Sequence, residues 1–180
     1  SSFETMMADG CFGAQLLMDL SGGGPASTVY QPEMIDAIVE RFPLCVNVPK
    51  RASAREPHSG ETVLHYCARH DRADAVQRWL PLDVGVYTPV SSGEKVVEVD
   101  GENKHYEQWT ALHEAIHRNN KDIALHFLAT LTKSMNTVTS ALMSDAITLM
   151  GMLMPHLVHE AMKLLDEQLI LKEGTRSPLS

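Results

Sequence analysis

Residues 113–117 read His113-Glu114-Ala115-Ile116-His117 and satisfy the H-E-x-x-H pattern. On a helix the two imidazoles would share a face and could hold zinc, with Glu114 as general base. A zinc-dependent hydrolase is therefore one reading, although Ile123 stands where the extended motif needs a third His. Other histidines invite metal too: His65 and His70 lie five apart, and His156 and His159 three apart on a Met/Leu-rich stretch. Single-helix His pairs are more often surface or capping groups. Ser92-Gly93-Glu94-Lys95 fits S-x-x-K, but it falls in a turn rather than at a helix start. Gly22-Gly23-Gly24 lacks the Lys-Ser/Thr of a phosphate-binding loop and reads as linker. No catalytic residue, metal site or cofactor is expected from these patterns.

Composition narrows the partner. Fifteen basic against twenty-three acidic side chains leave a formal charge of −8. That argues against the basic stripe a nucleic-acid surface needs and against adhesion to an anionic membrane. The longest nearly uncharged run, Ala146 to Pro155, is about half of a bilayer span. No basic n-region with an apolar h-region opens the chain, so no secretory signal is expected. Three Cys (Cys11, Cys45, Cys67) without a CxxC favour a reducing, cytoplasmic setting.

Helical periodicity dominates the elements that would position these groups. Helices are expected over 3–20, 32–42, 64–70, 73–80, 111–118, 121–132, 141–153 and 155–172. Pro32 and Pro155 open helices, and Ser21-Gly22-Gly23-Gly24-Pro25 and Gly174 end them. Eight helices in four pairs call for a search for repeats. Residues 62–80 set over 110–128 give five identities in nineteen positions: Thr62/Thr110, Leu64/Leu112, His65/His113, Asp74/Asp122 and Leu80/Leu128. Each Thr can cap a helix with its hydroxyl. Each His can bridge that hydroxyl to the backbone of the next loop. Cys67, Ala68 and Ala115 are small enough for close helix approach, and Asp71 and Asn119 suit a left-handed turn.

The pattern of Thr62, Leu64, His65 and of Thr110, Leu112, His113 resembles the ankyrin repeat, with its T-x-L-H start and small-residue pair. Gly60 keeps the family's glycine two residues before Thr; Gln108 does not. Val46-Asn47 is similar to the end of a preceding repeat. The explicit match covers 60–80 and 108–128, is weaker over 33–47, and is architectural for the flanking segments. The resemblance implies an all-α, ankyrin-type helical-repeat solenoid of about four helix pairs with long finger loops. The units are approximately 1–47, 60–100, 108–136 and 139–174, within one domain 1–180.

The two Thr lie 48 residues apart, against a family period of about 33. The insertion, 81–107, alternates as Val84 to Val90 and Lys95 to Val99, and is expected to form a hairpin around Ser91-Ser92-Gly93-Glu94. Such fingers are similar to those in cytosolic ankyrin domains of transient receptor potential channels. That gives a second reading, a regulatory or assembly domain of a larger membrane protein. The main implication is non-enzymatic protein–protein recognition on a concave face. There the resemblance places Arg69, His70, His117 and Arg118, with finger residues Tyr87 and Tyr106. They would form a locally basic patch suited to an acidic segment. Six Met between 135 and 180 are expected to fill the last helix pair, with a Met-lined partner groove as the alternative.

Overall fold

A computed structural model of the chain describes residues 4–5, 11–23, 31–46, 60–79, 95–130 and 137–174. It is mostly helical, with eight helices and one two-stranded sheet among the described residues. The helices are α1 (Cys11–Met18), α2 (Pro32–Arg41), α3 (Val63–Arg69), α4 (Ala73–Trp79), α5 (Ala111–His117), α6 (Lys121–Thr130), α7 (Thr137–Leu153) and α8 (Pro155–Gly174). They pack as neighbours in pairs, α1 with α2 through α7 with α8. One row runs α1, α3, α5, α7, each packed on the next; a second runs α2, α4, α6, α8. No helix is long and apolar enough to cross a membrane among the described residues.

The two matched segments fold alike to the level of single backbone bonds. Thr62 and Thr110 are N-caps with extended backbone (ψ 169° and 171°). The Tyr66 N–H donates to the Thr62 carbonyl, and the Glu114 N–H to the Thr110 carbonyl. Asp71 and Asn119 both adopt the left-handed region, at φ 55° and 60°. Short polar side chains tolerate that conformation best after glycine. One residue on, the Arg72 N–H reaches the Cys67 carbonyl and the Asn120 N–H the Ala115 carbonyl, both at 2.9 Å. These bonds satisfy helix-end carbonyls and turn the chain back into α4 and α6.

Between the pairs, β1 (Lys95–Val99) and β2 (Glu102–Tyr106) form the hairpin, with Lys95 opposite Tyr106 and Val99 opposite Glu102. Its turn is Asp100-Gly101, whereas the expected turn, Ser91 to Glu94, lies outside the described residues. Both turn residues have positive φ (52° and 81°), which matches the right-handed twist of paired strands. The expected partner strand, Val84 to Val90, lies outside the described residues. Val97, Val99 and Tyr106 point to one face and are buried.

The core between the rows holds Trp109, Leu64, Leu112, Ile116, Phe127 and Leu149, all fully buried. Met150 and Met154 are buried in the last pair and Met143 and Met152 pack against it, while Met162 is exposed. One expectation shifts at the start of the chain. α1 continues past Leu20 through a π-helical turn, Asp19–Gly23, where a break was expected. The Ser21 hydroxyl donates to the Leu17 carbonyl at 2.7 Å and is buried. Pro43–Val46 forms a 3-10 turn that buries Cys45 and Val46.

Candidate functional site

Each motif histidine is fixed at both ring nitrogens. The Thr62 N–H donates to His65 Nδ1 at 3.1 Å, with the Thr62 hydroxyl 2.9 Å from the same nitrogen. Because an N–H can only donate, Nδ1 is the lone-pair nitrogen and Nε2 carries the proton. Nε2 then donates to the Trp109 carbonyl at 3.1 Å, the backbone just before the next motif. His113 repeats this with Thr110 (3.2 Å from the N–H, 2.7 Å from the hydroxyl). Its Nε2 goes instead to Asp145 Oδ2 of α7, at 2.9 Å. Burial pushes both imidazoles below their usual titration range, against the opposing pull of Trp109 on His65 and of Asp145 on His113.

Thr110, His113 and Asp145 thus line up hydroxyl, imidazole and carboxylate. The chain is unsuited to attack, because Thr110 and His113 are fully buried and the hydroxyl accepts from the His113 N–H. The H-E-x-x-H segment is likewise engaged. Both His113 nitrogens are occupied, and Glu114 is held by three donors. Arg69 Nε lies 2.9 Å and Arg118 Nε 3.1 Å from Glu114 Oε1, and Trp109 Nε1 donates to Oε2 at 2.7 Å. Burial alone would raise the Glu114 carboxyl; Arg69 and these hydrogen bonds outweigh it and hold it at about 2. A carboxylate so stabilised is a poor proton acceptor near neutral pH. No group of three or more metal-ligating side chains occurs among the described residues.

Arg69 corrects an expectation. It was placed on an exposed face, yet its side chain is only 12% exposed, bridging Glu114 and Glu61, whose Oε1 accepts from Nη2 at 2.5 Å. The reason is local: two carboxylates from successive units converge on one guanidinium. Tyr106 is corrected as well. Its ring is buried edge-on against Trp109 (5.2 Å between centroids) and His113 (5.6 Å). Tyr87 lies outside the described residues.

The remaining candidates do come together. His70 is exposed beside Tyr66, ring to ring at 4.5 Å. Arg118 is 44% exposed. His117 is half-buried, edge-on to Trp109 at 5.9 Å, with its Nδ1 buried and unpartnered among the described residues. Lys95, from β1, holds Nζ 5.9 Å from the centre of the same indole. Arg69, Arg72 and Arg118 surround His70; Arg118, Lys95 and Arg69 surround His117. Burial foremost, and then these cations, push both imidazoles down, with Glu114 opposing. Among the described residues, Arg69, Arg72, Arg118 and Lys95 thus face two carboxylates, Glu61 and Glu114, a local positive surplus on an acidic chain.

Sequence reading missed Lys95, Trp109, Glu61 and Asp145. Glu61 and Trp109 occupy the same position, immediately before each cap Thr, and that alignment is the signal that could have found them. Asp145 carries no comparable mark. Compared with family models, curated proteins and solved structures, the chain shows no significant match to any.

Proposed function

We propose that this chain is an ankyrin-type helical-repeat module that recognises an acidic segment of a partner protein without catalysing a reaction. One observation carries the reading. Two segments 48 residues apart share the Thr–His cap, the left-handed turn residue and the backbone bonds that follow it, and each hands its histidine's outer nitrogen to the next unit. Repeats joined this way stack into a row, and the row presents equivalent positions side by side. Those positions are Arg69-His70 and His117-Arg118, with Lys95 of the hairpin beside them.

Charge chooses the ligand. Arg69 is neutralised internally, so Arg118, Lys95 and the two imidazoles make the positive surface. Side chains from a partner's Asp or Glu would meet Arg118 as a planar fork and Lys95 as a point charge. Buried thiols at Cys45 and Cys67 fit a reducing compartment, and burial pushes the Cys67 thiol up, away from reactivity.

The test is binding of a labelled, Glu-rich dodecapeptide by fluorescence anisotropy. Saturable binding that weakens with salt and falls about tenfold in Arg118→Gln/Lys95→Gln supports the reading; each removed exposed contact is worth up to about 1 kcal/mol. No binding, or binding indifferent to both substitutions, removes it.

A further inference from the structure

We propose that this face is proton-coupled: His117, and His70 beside it, take up protons as partner carboxylates dock against Arg118 and Lys95, so that binding strengthens as the pH falls. The inference rests on the acidic-segment reading above and adds a regulator to it. It starts from geometry. His117 is the only residue of the four-member face whose buried ring nitrogen has no partner among the described residues. Its ring is wedged edge-on against Trp109, so it cannot swing away from the cations around it without leaving that contact.

Among the described residues, the charged groups acting on the two rings are these. His117 meets Glu114 and Arg118 from α5, Lys95 from β1 and Arg69 from α3. His70 meets Arg69 at the end of α3, Arg72 from the turn, and Arg118 and Glu114 from α5. In both cases three cations oppose one carboxylate. That carboxylate is already shared, since Glu114 takes Arg69, Arg118 and the Trp109 N–H. Burial and these cations therefore hold both imidazoles below the ordinary histidine range in the free protein. A docked carboxylate weakens the positive local field, pairing with Arg118 or Lys95 and screening their repulsion of a further positive charge. Whatever stabilises the imidazolium in the complex must, by linkage, make the protonated protein bind more tightly. The direction follows: both rings are depressed when free, so affinity is lowest at alkaline pH and climbs as the pH falls toward the ordinary histidine range. Each pKa unit regained on binding is tenfold in affinity.

Isothermal titration calorimetry of the whole chain with the Glu-rich dodecapeptide tests this, because the peptide's own carboxylates stay ionised from pH 8 to pH 6. Titrations in phosphate and in Tris at one pH should give heats that differ with the buffer's ionisation enthalpy, with the sign of proton uptake. Affinity should be about tenfold tighter at pH 6 than at pH 8, with the far-UV circular dichroism unchanged. His117→Gln should flatten that dependence, and His70→Gln should flatten it in part, which covers the case where the first variant misfolds. Binding with equal heats in both buffers and a flat pH profile overturns the proton coupling while leaving the acidic-segment reading intact. Absence of binding at every pH overturns both.

Discussion

Arg69 sits with one carboxylate from its own unit and one from the next, and is 12% exposed. Its position in the motif marks a face, so sequence reading made it a contact residue. The carboxylates that occupy it lie 8 and 45 residues away, and no local spacing reveals the second of them. A buried ion pair is worth little net of desolvation, but removing one partner strands the others. Arg69→Met should therefore cost about 3–5 kcal/mol of unfolding free energy by urea denaturation. Arg118→Met, at 44% exposure, should cost under about 1 kcal/mol, because its charge stays screened by water. Equal losses would mean that Arg69 is no more buried than Arg118. The same contrast explains why Arg118, not Arg69, is the cation left for a partner.

At the scale of elements, what is local was legible. The helices of the matched units begin and end within a residue or two of their expected limits, because Thr caps, Asp71 and Asn119 act on their immediate neighbours. Two features escaped. The π-helical turn at Asp19–Gly23 runs through Gly22 and Gly23, with Ser21 buried and bonded to Leu17. The pairing of 95–99 with 102–106 was not foreseen, since the alternation of valines through 84–90 drew attention away from Asp100-Gly101. Asp-Gly is the stronger signal, as both residues must take positive φ. Nothing lies within 4 Å of a Cβ added at Gly101, so a side chain there meets backbone strain alone. Gly101→Val should cost about 1–2 kcal/mol and raise amide exchange in 95–99 and 102–106, leaving α7 and α8 protected. Unchanged exchange in the hairpin would remove that turn assignment.

For the whole molecule, successive units are joined by polar contacts as well as by core packing: His65 to the Trp109 carbonyl, Asn120 Nδ2 to the Ala68 carbonyl, Arg69 to Glu114, and His113 to Asp145. The last contact was illegible because it ends on a carboxylate in a helix pair without the motif. Both histidine links require a neutral ring, since protonating Nδ1 would set its N–H against the Thr N–H it now accepts from. Both rings are depressed below 6.5 in the folded chain, so the stability they confer is complete above 6.5 and is lost as the pH falls toward their folded values. Each neutral ring that would be charged in the unfolded chain removes about 1.4 kcal/mol per pH unit. The thermal midpoint should thus hold between pH 8 and 7 and fall below 6.5, with a shallower fall in His113→Asn. Glu114, held at about 2, acts in a separate window and loses its contribution only below about 4.5. A midpoint constant from pH 8 to pH 5 would sink the neutral-ring assignment. Acid therefore lowers the free chain's stability through all four depressed rings, loosening the links through His65 and His113, while it favours a bound partner at His70 and His117. An acidic peptide should recover part of the midpoint lost at pH 6, and more of it than at pH 8, because ligand bound only to the folded chain stabilises in proportion to its affinity.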